Sequence, residues 1–162
     1  MRDKQDYSEE LPEKKEQSNK LEIKFSIKSR INKPVAEVYN AVADPDILST
    51  YFTTSSSGAI EAGEVISWHW GSEKTDITVL EAVPNKTITF RWEAYNVSYE
   101  TVVEIDFQSK DEHTIITISE SGWNENQEGL NSSYNHCSGW QHMLTCMKGR
   151  LEFGVDLRPD YK

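Results

Sequence analysis

The sequence predicts an α+β fold in which a curved antiparallel sheet of about six to seven strands grips a long C-terminal helix. Three observations predict it. Apolar and polar residues alternate in successive segments that are separated by short polar turns, as in an antiparallel meander. Two proline-marked helix starts follow the first of these segments. The last segment carries a single wide apolar stripe with helical spacing.

The first strand is predicted over residues 21–31, where apolar side chains fall on alternate positions. Pro34 then starts a short helix, because its missing N–H is no loss in a first turn. Asp44-Pro45 starts a second short helix with a capping residue followed by proline. The two short helices therefore interrupt the sheet directly after its first strand.

The sheet continues with strands that place large side chains on one face. Trp68 and Trp70 share a face of one strand, and Phe90 and Trp92 share a face of another. A polar loop is expected over residues 122–132. The predicted strands cover residues 64–70, 74–83, 87–92, 98–107 and 114–121, after a short strand that ends near 58–60.

The last element is predicted to be a helix of about 20 residues near 133–154. On a helical wheel its apolar face comprises His136, Cys137, Trp140, Met143, Leu144, Met147 and Leu151. A stripe this wide is expected to pack against the sheet, with a hydrophobic cavity between the two layers.

The two cysteines fall in this helix and are separated by about 13 Å along its axis, which exceeds disulfide reach. Two free thiols are typical of a reducing cytoplasm, and the N-terminus has no apolar signal region, so a cytoplasmic location is expected. The wheel places Cys137 on the apolar face and Cys146 near the polar side. Cys146 is therefore expected to react faster with thiol reagents.

The length, charge and hydrophobicity of the chain predict its domain organisation and exclude two classes of partner. The 162 residues predict one domain over 21–158, preceded by a disordered tail over 1–20 that contains eleven charges. The formal charge is −10, with 27 acidic and 17 basic side chains. Such a charge repels nucleic acid and anionic membranes, and no apolar run is long enough to span a bilayer. Neither nucleic acid nor a membrane is therefore expected as a partner.

Motifs for metal, phosphate and nucleophilic chemistry are missing from the sequence. The four histidines show no ligand spacing, and no C-x-x-C motif occurs. Glu64 stands where a phosphate-binding loop needs lysine, and no G-x-S-x-G motif is present. His136 and Cys137 are adjacent on the helix and diverge, so they cannot share a proton. No catalytic residue, metal or cofactor is predicted.

The most informative feature is a set of rings on inward positions that faces flexible methionines. An ordinary core explains these rings as well, but Met, Cys and His suit an adaptable binding surface better than a solid core. His136 is the expected hydrogen-bond anchor for a polar ligand end; Glu93 and Glu120 are weaker polar candidates, since carboxylates at strand ends are usually solvated. The predicted ligand-binding residues are Trp68, Trp70, Phe90, Trp92, His136, Trp140, Met143 and Met147.

Several segments, in order, resemble one family. The stretch from Ile31 to Asp44-Pro45, the segment Pro84–Trp92, Ser119-Glu-Ser-Gly-Trp123 and Gly139-Trp140 are similar to segments of the START-like helix-grip (SRPBCC) superfamily. Within it they resemble the C-terminal domain of activators of heat-shock-protein-90 ATPase. Members of this branch are mostly small bacterial proteins of unassigned activity. The resemblance implies a cavity between sheet and helix and names no ligand.

Three functions remain open from the sequence. Binding of a hydrophobic small molecule in the cavity leads, because that cavity is the default site of the fold. A chaperone co-factor or protein-interaction domain is the first alternative, although the separate N-terminal domain of eukaryotic activators is not seen in the sequence. An enzyme resembling polyketide cyclases is the second, and it would need several buried polar groups that converge on the pocket.

Overall fold

The computed structural model describes residues 21–159, and the expected tail over residues 1–20 lies outside them. No helix in the described range has the length and hydrophobicity of a membrane span. The elements in chain order are β1 Lys24–Ile31, α1 Val35–Ala43, α2 Pro45–Leu48, β2 Ser55–Ser56, β3 Val65–Trp70, β4 Glu73–Val83, β5 Thr87–Glu93, β6 Glu100–Lys110, β7 His113–Ser121 and α3 Gln127–Phe153.

The seven strands form one curved antiparallel sheet in the order β1-β7-β6-β5-β4-β3-β2. Strands β2 to β7 follow each other as a meander, and β1 pairs with β7, with Ile27 opposite Ile118. Alternate residues of β6 and β7 are buried, which reflects the period-two pattern of the sequence. The predicted fold class is therefore confirmed.

Three strands differ from the prediction by more than one residue. The first strand begins at Lys24 instead of residue 21, the short strand occupies Ser55–Ser56 instead of ending near 58–60, and β6 covers Glu100–Lys110 instead of 98–107. Ile60 is buried beside the helix pair, and its N–H donates to the Ala43 carbonyl over 3.0 Å. This contact draws residue 60 away from the sheet edge and toward the core.

The two short helices begin where the prolines indicate. Pro34 immediately precedes α1, whose buried side includes Val38 and Val42. The Asp44 carboxylate caps α2 by accepting the Asp46 N–H over 2.9 Å. After α2 the chain turns so that Tyr51 enters the core, where its hydroxyl donates to the Ala41 carbonyl over 2.7 Å. This turn also delivers Phe52 to the aromatic cluster between sheet and helix.

The long helix α3 begins at Gln127, inside the stretch that was expected to be a polar loop. The Asn126 side chain caps it by accepting the Gly129 N–H over 2.8 Å. The first turns bury small polar side chains, and Ser132 Oγ accepts the Trp123 indole N–H over 3.1 Å. Because these residues add nothing to the apolar stripe, the stripe alone places the start too late. The end at Phe153, followed by left-handed Gly154, agrees with the prediction.

Hydrogen bonds to β1 and the following turn hold the C-terminal half of α3 against the sheet. Lys148 Nζ donates to the Arg30 carbonyl over 2.8 Å, and the Glu152 carboxylate accepts the Asn32 N–H over 2.6 Å. Between these bonds and the aromatic cluster, Met143, Leu144 and Met147 are fully buried. The helix is thus fixed to the sheet at one end by polar bonds and along its centre by packing.

The predicted exposure of the two thiols is wrong. Cys146 is buried with 1% exposure, whereas Cys137 is half-buried. The wheel places Cys146 near the polar side of α3, but Cys146 belongs to the buried core cluster. The charges of Asp156 and Arg158, in the segment that follows α3, act on its thiol. Burial and the Asp156 carboxylate raise the pKa of the Cys146 thiol.

We therefore expect Cys137 to react faster than Cys146 with a maleimide under native conditions, because Cys137 is more accessible and the raised pKa of Cys146 lowers the thiolate content of Cys146. Mass spectrometry of chymotryptic fragments after timed quenching measures the two rates, because cleavage after Trp140 separates Cys137 from Cys146. The same labelling in denaturant is the control, since both thiols should then react at similar rates. Faster native labelling of Cys146 would contradict the orientation of α3.

Candidate functional site

The aromatic residues predicted to form the site make one continuous cluster between the sheet and α3. Trp68 lies at its centre, with its ring centroid 5.4–6.2 Å from those of Phe52, Trp70, Phe90 and Trp92. The interplanar angles are 72–90°, which is the edge-to-face geometry that aromatic quadrupoles favour. These rings pack against each other as a core does.

The predicted site residues divide by depth. Trp70 and Trp92 are half-buried, and His136 and Trp140 are buried but reach an open pocket. Trp68, Phe90, Met143 and Met147 are fully buried and do not line that pocket. The structure therefore brings four of the eight residues to an accessible surface and places the other four behind it.

This open pocket, the ring pocket, lies where the sheet, the turn after α2 and the middle of α3 meet. Its volume is about 260 Å³. Sequence reasoning missed Asn135, Gly139 and His142, which are exposed on α3, and Phe52, which lies in the turn after α2. The ring pocket is lined by Phe52, Trp70, Trp92, Asn135, His136, Gly139, Trp140 and His142.

Phe52 forms the wall on the side of the short helices. Its ring stacks on Trp140 at 5.8 Å and 27° and meets Trp70 edge-on at 5.2 Å. The turn that carries Phe52 is held from the C-terminus, because the Arg158 guanidinium donates to the carbonyls of Ser49 and Thr53 at 3.0 and 2.8 Å. The pocket wall thus depends on a contact between residues more than one hundred positions apart.

Directly behind the rings lies a buried carboxylate, Glu120, whose side chain is fully shielded from solvent. Its Oε1 accepts the Trp92 indole N–H over 2.9 Å and the Thr101 hydroxyl over 2.7 Å. The same oxygen lies 2.8 Å from His136 Nδ1, and Oε2 accepts the Trp140 indole N–H over 2.9 Å. Glu120 therefore ties strands β5 and β6 and helix α3 to strand β7.

The tautomer of His136 follows from its two partners. The Tyr95 backbone N–H points at Nε2 over 2.9 Å, so Nε2 must be the acceptor. The ring proton is then on Nδ1 and is donated to Glu120, and the imidazole is neutral. Both ring nitrogens are thus engaged within the protein. A hydrogen bond from His136 to a ligand would require one of these bonds to break.

The two acidic candidates differ in their surroundings. Glu93 is exposed at the end of β5, whereas Glu120 is 1% exposed, contrary to the expected solvation of a carboxylate at a strand end. Glu120 occupies an inward position of β7, on the same face as Ile116 and Ile118. It stays buried because four donors surround it, which offsets the desolvation of its charge.

One polar atom in the cluster has no partner. Among the described residues, only the Trp68 Nε1 is a buried side-chain nitrogen or oxygen without a hydrogen bond. Leaving such a donor unpaired costs about 1–3 kcal/mol. The ring cluster therefore contains an unpaired hydrogen-bond donor, whereas the donors around Glu120 are all paired.

A second, more polar depression continues from the ring pocket and is called the outer groove. It has a volume of about 340 Å³ and shares Trp70, Trp92, Asn135 and His136 with the ring pocket. Its remaining walls bring charged, hydroxyl and aromatic side chains to the rim. These are Glu73, Lys74, Thr75, Glu93 and Tyr95.

Metal ligation has no support in the described residues. Between residues 21 and 159 no three His, Cys, Asp or Glu side chains are grouped to hold an ion. His136, which lines the ring pocket, and Glu120, which lies behind it, are bonded to each other. The arrangement is suited to holding a molecule against rings.

Comparison with known proteins places the chain among related folds. A family model described as activator of Hsp90 ATPase homolog 1-like protein matches residues 32–152. Protein SSP2350 of Staphylococcus saprophyticus is 25% identical, with a TM-score of 0.73 over 84% of this chain and 96% of that protein. No curated protein matches the chain.

Two further solved structures share the fold. The Aha1 dimer of Colwellia psychrerythraea, determined in solution, is 24% identical, with a TM-score of 0.70 over 82% of this chain and 98% of that one. DynU16, a protein of the dynemicin biosynthetic locus, is also 24% identical, with a TM-score of 0.76. That match covers 86% of this chain and 51% of DynU16.

Proposed function

The chain belongs to the activator of Hsp90 ATPase homolog 1-like family, within the START-like helix-grip superfamily, and from this premise we propose that it binds a small hydrophobic molecule in the ring pocket. The observation that carries the proposal is an open pocket with walls built mainly of aromatic rings at the junction of sheet and grip helix. As part of the same proposal, the protein works in a bacterial cytoplasm, where its two free thiols stay reduced.

The size of the ring pocket limits the size of the ligand that it can hold. Its volume of about 260 Å³ is below the range of roughly 300–1,000 Å³ for drug-sized ligands. A molecule of one or two rings fits this space. Because Trp68, Phe90, Met143 and Met147 lie behind the wall, they would support the ligand without touching it.

The polar side chains at the rim would fix the orientation of the ligand. Asn135 and His142 are exposed and line the pocket, whereas both nitrogens of His136 are occupied. A polar group on the ligand would therefore pair with Asn135 or His142. His136 would contribute the side of its ring, which already meets Trp92 edge-on at 5.3 Å.

The same geometry favours binding over catalysis by a cyclase-like enzyme. Such an enzyme would need an acid or base with a free polar atom that faces the bound molecule. Glu120 does not line the ring pocket, and both of its oxygens accept hydrogen bonds from neighbouring side chains. His136 is engaged in the same way.

Chaperone contact is kept as the alternative because an apolar patch is exposed where α3 ends. Phe153, Val155 and Leu157 are exposed by 72%, 45% and 47%. Exposed apolar clusters of this kind favour protein contacts. Addition of purified Hsp90 to the ¹⁵N-labelled protein tests this role, since a chaperone contact should broaden the amide signals of these three residues first.

Titration with 3-tert-butylphenol, a neutral one-ring probe, tests the proposed binding. We expect saturable shifts of the indole N–H signals of Trp70, Trp92 and Trp140 in ¹⁵N-resolved spectra. Gly139→Leu should abolish them, because a side chain there begins on the pocket wall with nothing within 4 Å. Ser138→Leu, at an exposed neighbouring position outside the pocket, is the matched control. Non-saturable shifts, or equal binding by both variants, would refute the proposal.

A further inference from the structure

We infer that the ring pocket selects a positively charged aromatic molecule, such as an aryl quaternary ammonium ion, over a neutral molecule of the same shape. This inference rests on the proposed function and adds a substrate class to it. Three independent features of the site carry it: the orientation of the indoles, the uncompensated charge behind them and the carboxylates at the rim.

The indoles turn their positive edges away from the pocket. Trp92 and Trp140 both donate their N–H groups to Glu120, which does not line the ring pocket. The N–H is the most positive edge of an indole, and neither of these two indoles presents it to the pocket. Cations bind to the negative π-surface of aromatic rings, and tryptophan is the strongest of these partners.

The charge behind the rings is negative and is not compensated by a cation. Two indole N–H groups and the Nδ1–H of His136 can only donate, so both oxygens of Glu120 are acceptors, as in an ionised carboxylate. His136 is neutral because its Nε2 accepts the Tyr95 N–H. The single negative charge of Glu120 is therefore separated from the pocket by only one layer of side chains, and the protein interior screens it weakly.

The rim of the outer groove adds two more carboxylates. Glu73 and Glu93 are exposed there, and neither pairs with a basic side chain within residues 21–159. The one lysine of the rim, Lys74, is directed to Asp76 at 3.2 Å. The ring pocket itself has no Lys or Arg among its lining residues. The overall charge of −10 draws cations toward the protein as well.

The factors that disfavour binding of a cation are weaker than those that favour it. His142 lines the ring pocket and would repel a cation when protonated, but it is exposed and its charge is screened by solvent. Desolvation of the cation also opposes binding, yet a quaternary ammonium holds its hydration shell loosely and its methyl groups fill apolar space. The balance of charges around the pocket therefore favours a cation with a compact apolar shell.

A pair of isosteric probes tests the inference. The 3-hydroxyphenyl-trimethylammonium ion and 3-tert-butylphenol differ by one nitrogen in place of one carbon, and hence by one charge. Titrations followed at the indole N–H signals should give a dissociation constant for the cation at least about fivefold lower, as expected for a desolvated cation–π contact. Equal or tighter binding of the neutral probe would overturn the inference and leave the proposed function standing. If neither probe binds, both fail.

Charge variants at the rim separate electrostatic selection from shape. Glu73→Gln/Glu93→Gln should weaken the cation about two- to threefold at low salt and leave the neutral probe unchanged. The control Asp111→Asn/Glu112→Gln removes two charges from the β6–β7 turn, at the opposite end of the strands, and should change neither constant. Equal weakening of both probes by the rim variant would show that these carboxylates act on shape, which would contradict their part in the selection.

Discussion

Replacement of Trp140 by alanine is expected to lower the free energy of unfolding by about 3–5 kcal/mol, the range measured for buried aromatic residues. Trp140 is 2% exposed and lies at the centre of the inward face of α3. Its ring contacts Phe52, Phe90 and Trp92 at centroid distances of 5.3–6.2 Å. Alanine would remove all three contacts and leave Glu120 Oε2 without its donor. Urea unfolding followed by far-ultraviolet circular dichroism measures the loss.

Trp140→Phe is the matched variant, because it keeps a ring and removes only the indole N–H and part of the volume. It should cost less than Trp140→Ala, and the difference between the two measures the packing of the ring. An alanine variant with the denaturation midpoint of the wild type would mean that Trp140 does not pack in the core.

The fold was predictable because its main signals are local. In β7, Ile116 and Ile118 alternate with the less buried Ile115, Thr117 and Ser119, and the observed burial has a period of two. Pro34 and the Asp44-Pro45 pair mark helix starts through backbone chemistry that acts within one turn. Such signals need no knowledge of distant residues, which explains why the element order follows directly from the sequence.

The errors arise where long-range contacts decide. Cys146 is buried in the core cluster, although the wheel places it near the polar side of α3. The segment after α3 brings the charges of Asp156 and Arg158 to bear on it, and Arg158 is held at the carbonyls of Ser49 and Thr53. A helical wheel has no information about these distant residues. The early part of α3 was missed for a related reason, since Ser132 is buried by its bond to Trp123 and carries no apolar signal.

The site shows the same division. Trp70 and Trp92 were found from the alternation of inward and outward positions along their strands. That alternation does not distinguish the rings that line an open pocket from those that fill the core. Phe52 reaches the pocket through a turn, and Gly139 lines it by having no side chain. The alternation along β7 already places Glu120 at an inward position in the sequence. Its burial depends on donors from three other elements that sequence reasoning did not bring together.

Removal of the Glu120 carboxylate is the second substitution with a large expected effect. Glu120→Ala would leave four donors without an acceptor in the interior, namely those of Trp92, Thr101, His136 and Trp140. Each unsatisfied buried donor costs about 1–3 kcal/mol, and relaxation recovers part of the sum. We expect a loss of about 3–5 kcal/mol in the free energy of unfolding, similar to breaking a buried ion pair from one side. Chemical unfolding measures it, with the exposed Glu112→Ala as control.

A double-mutant cycle separates the network from simple loss of packing and remains informative if Glu120→Ala does not fold. Glu120→Gln keeps one acceptor oxygen but turns an amide N–H₂ toward a donor, so it should be destabilised less than the alanine variant. In its background, Trp140→Phe should cost less than in the wild type, because the indole N–H no longer depends on a full carboxylate. A coupling of about 1–3 kcal/mol is expected for residues in one hydrogen-bond network. Additive losses would show that Glu120 and Trp140 stabilise the protein independently, and the carboxylate could then not be the group that fixes the ring pocket to the grip helix.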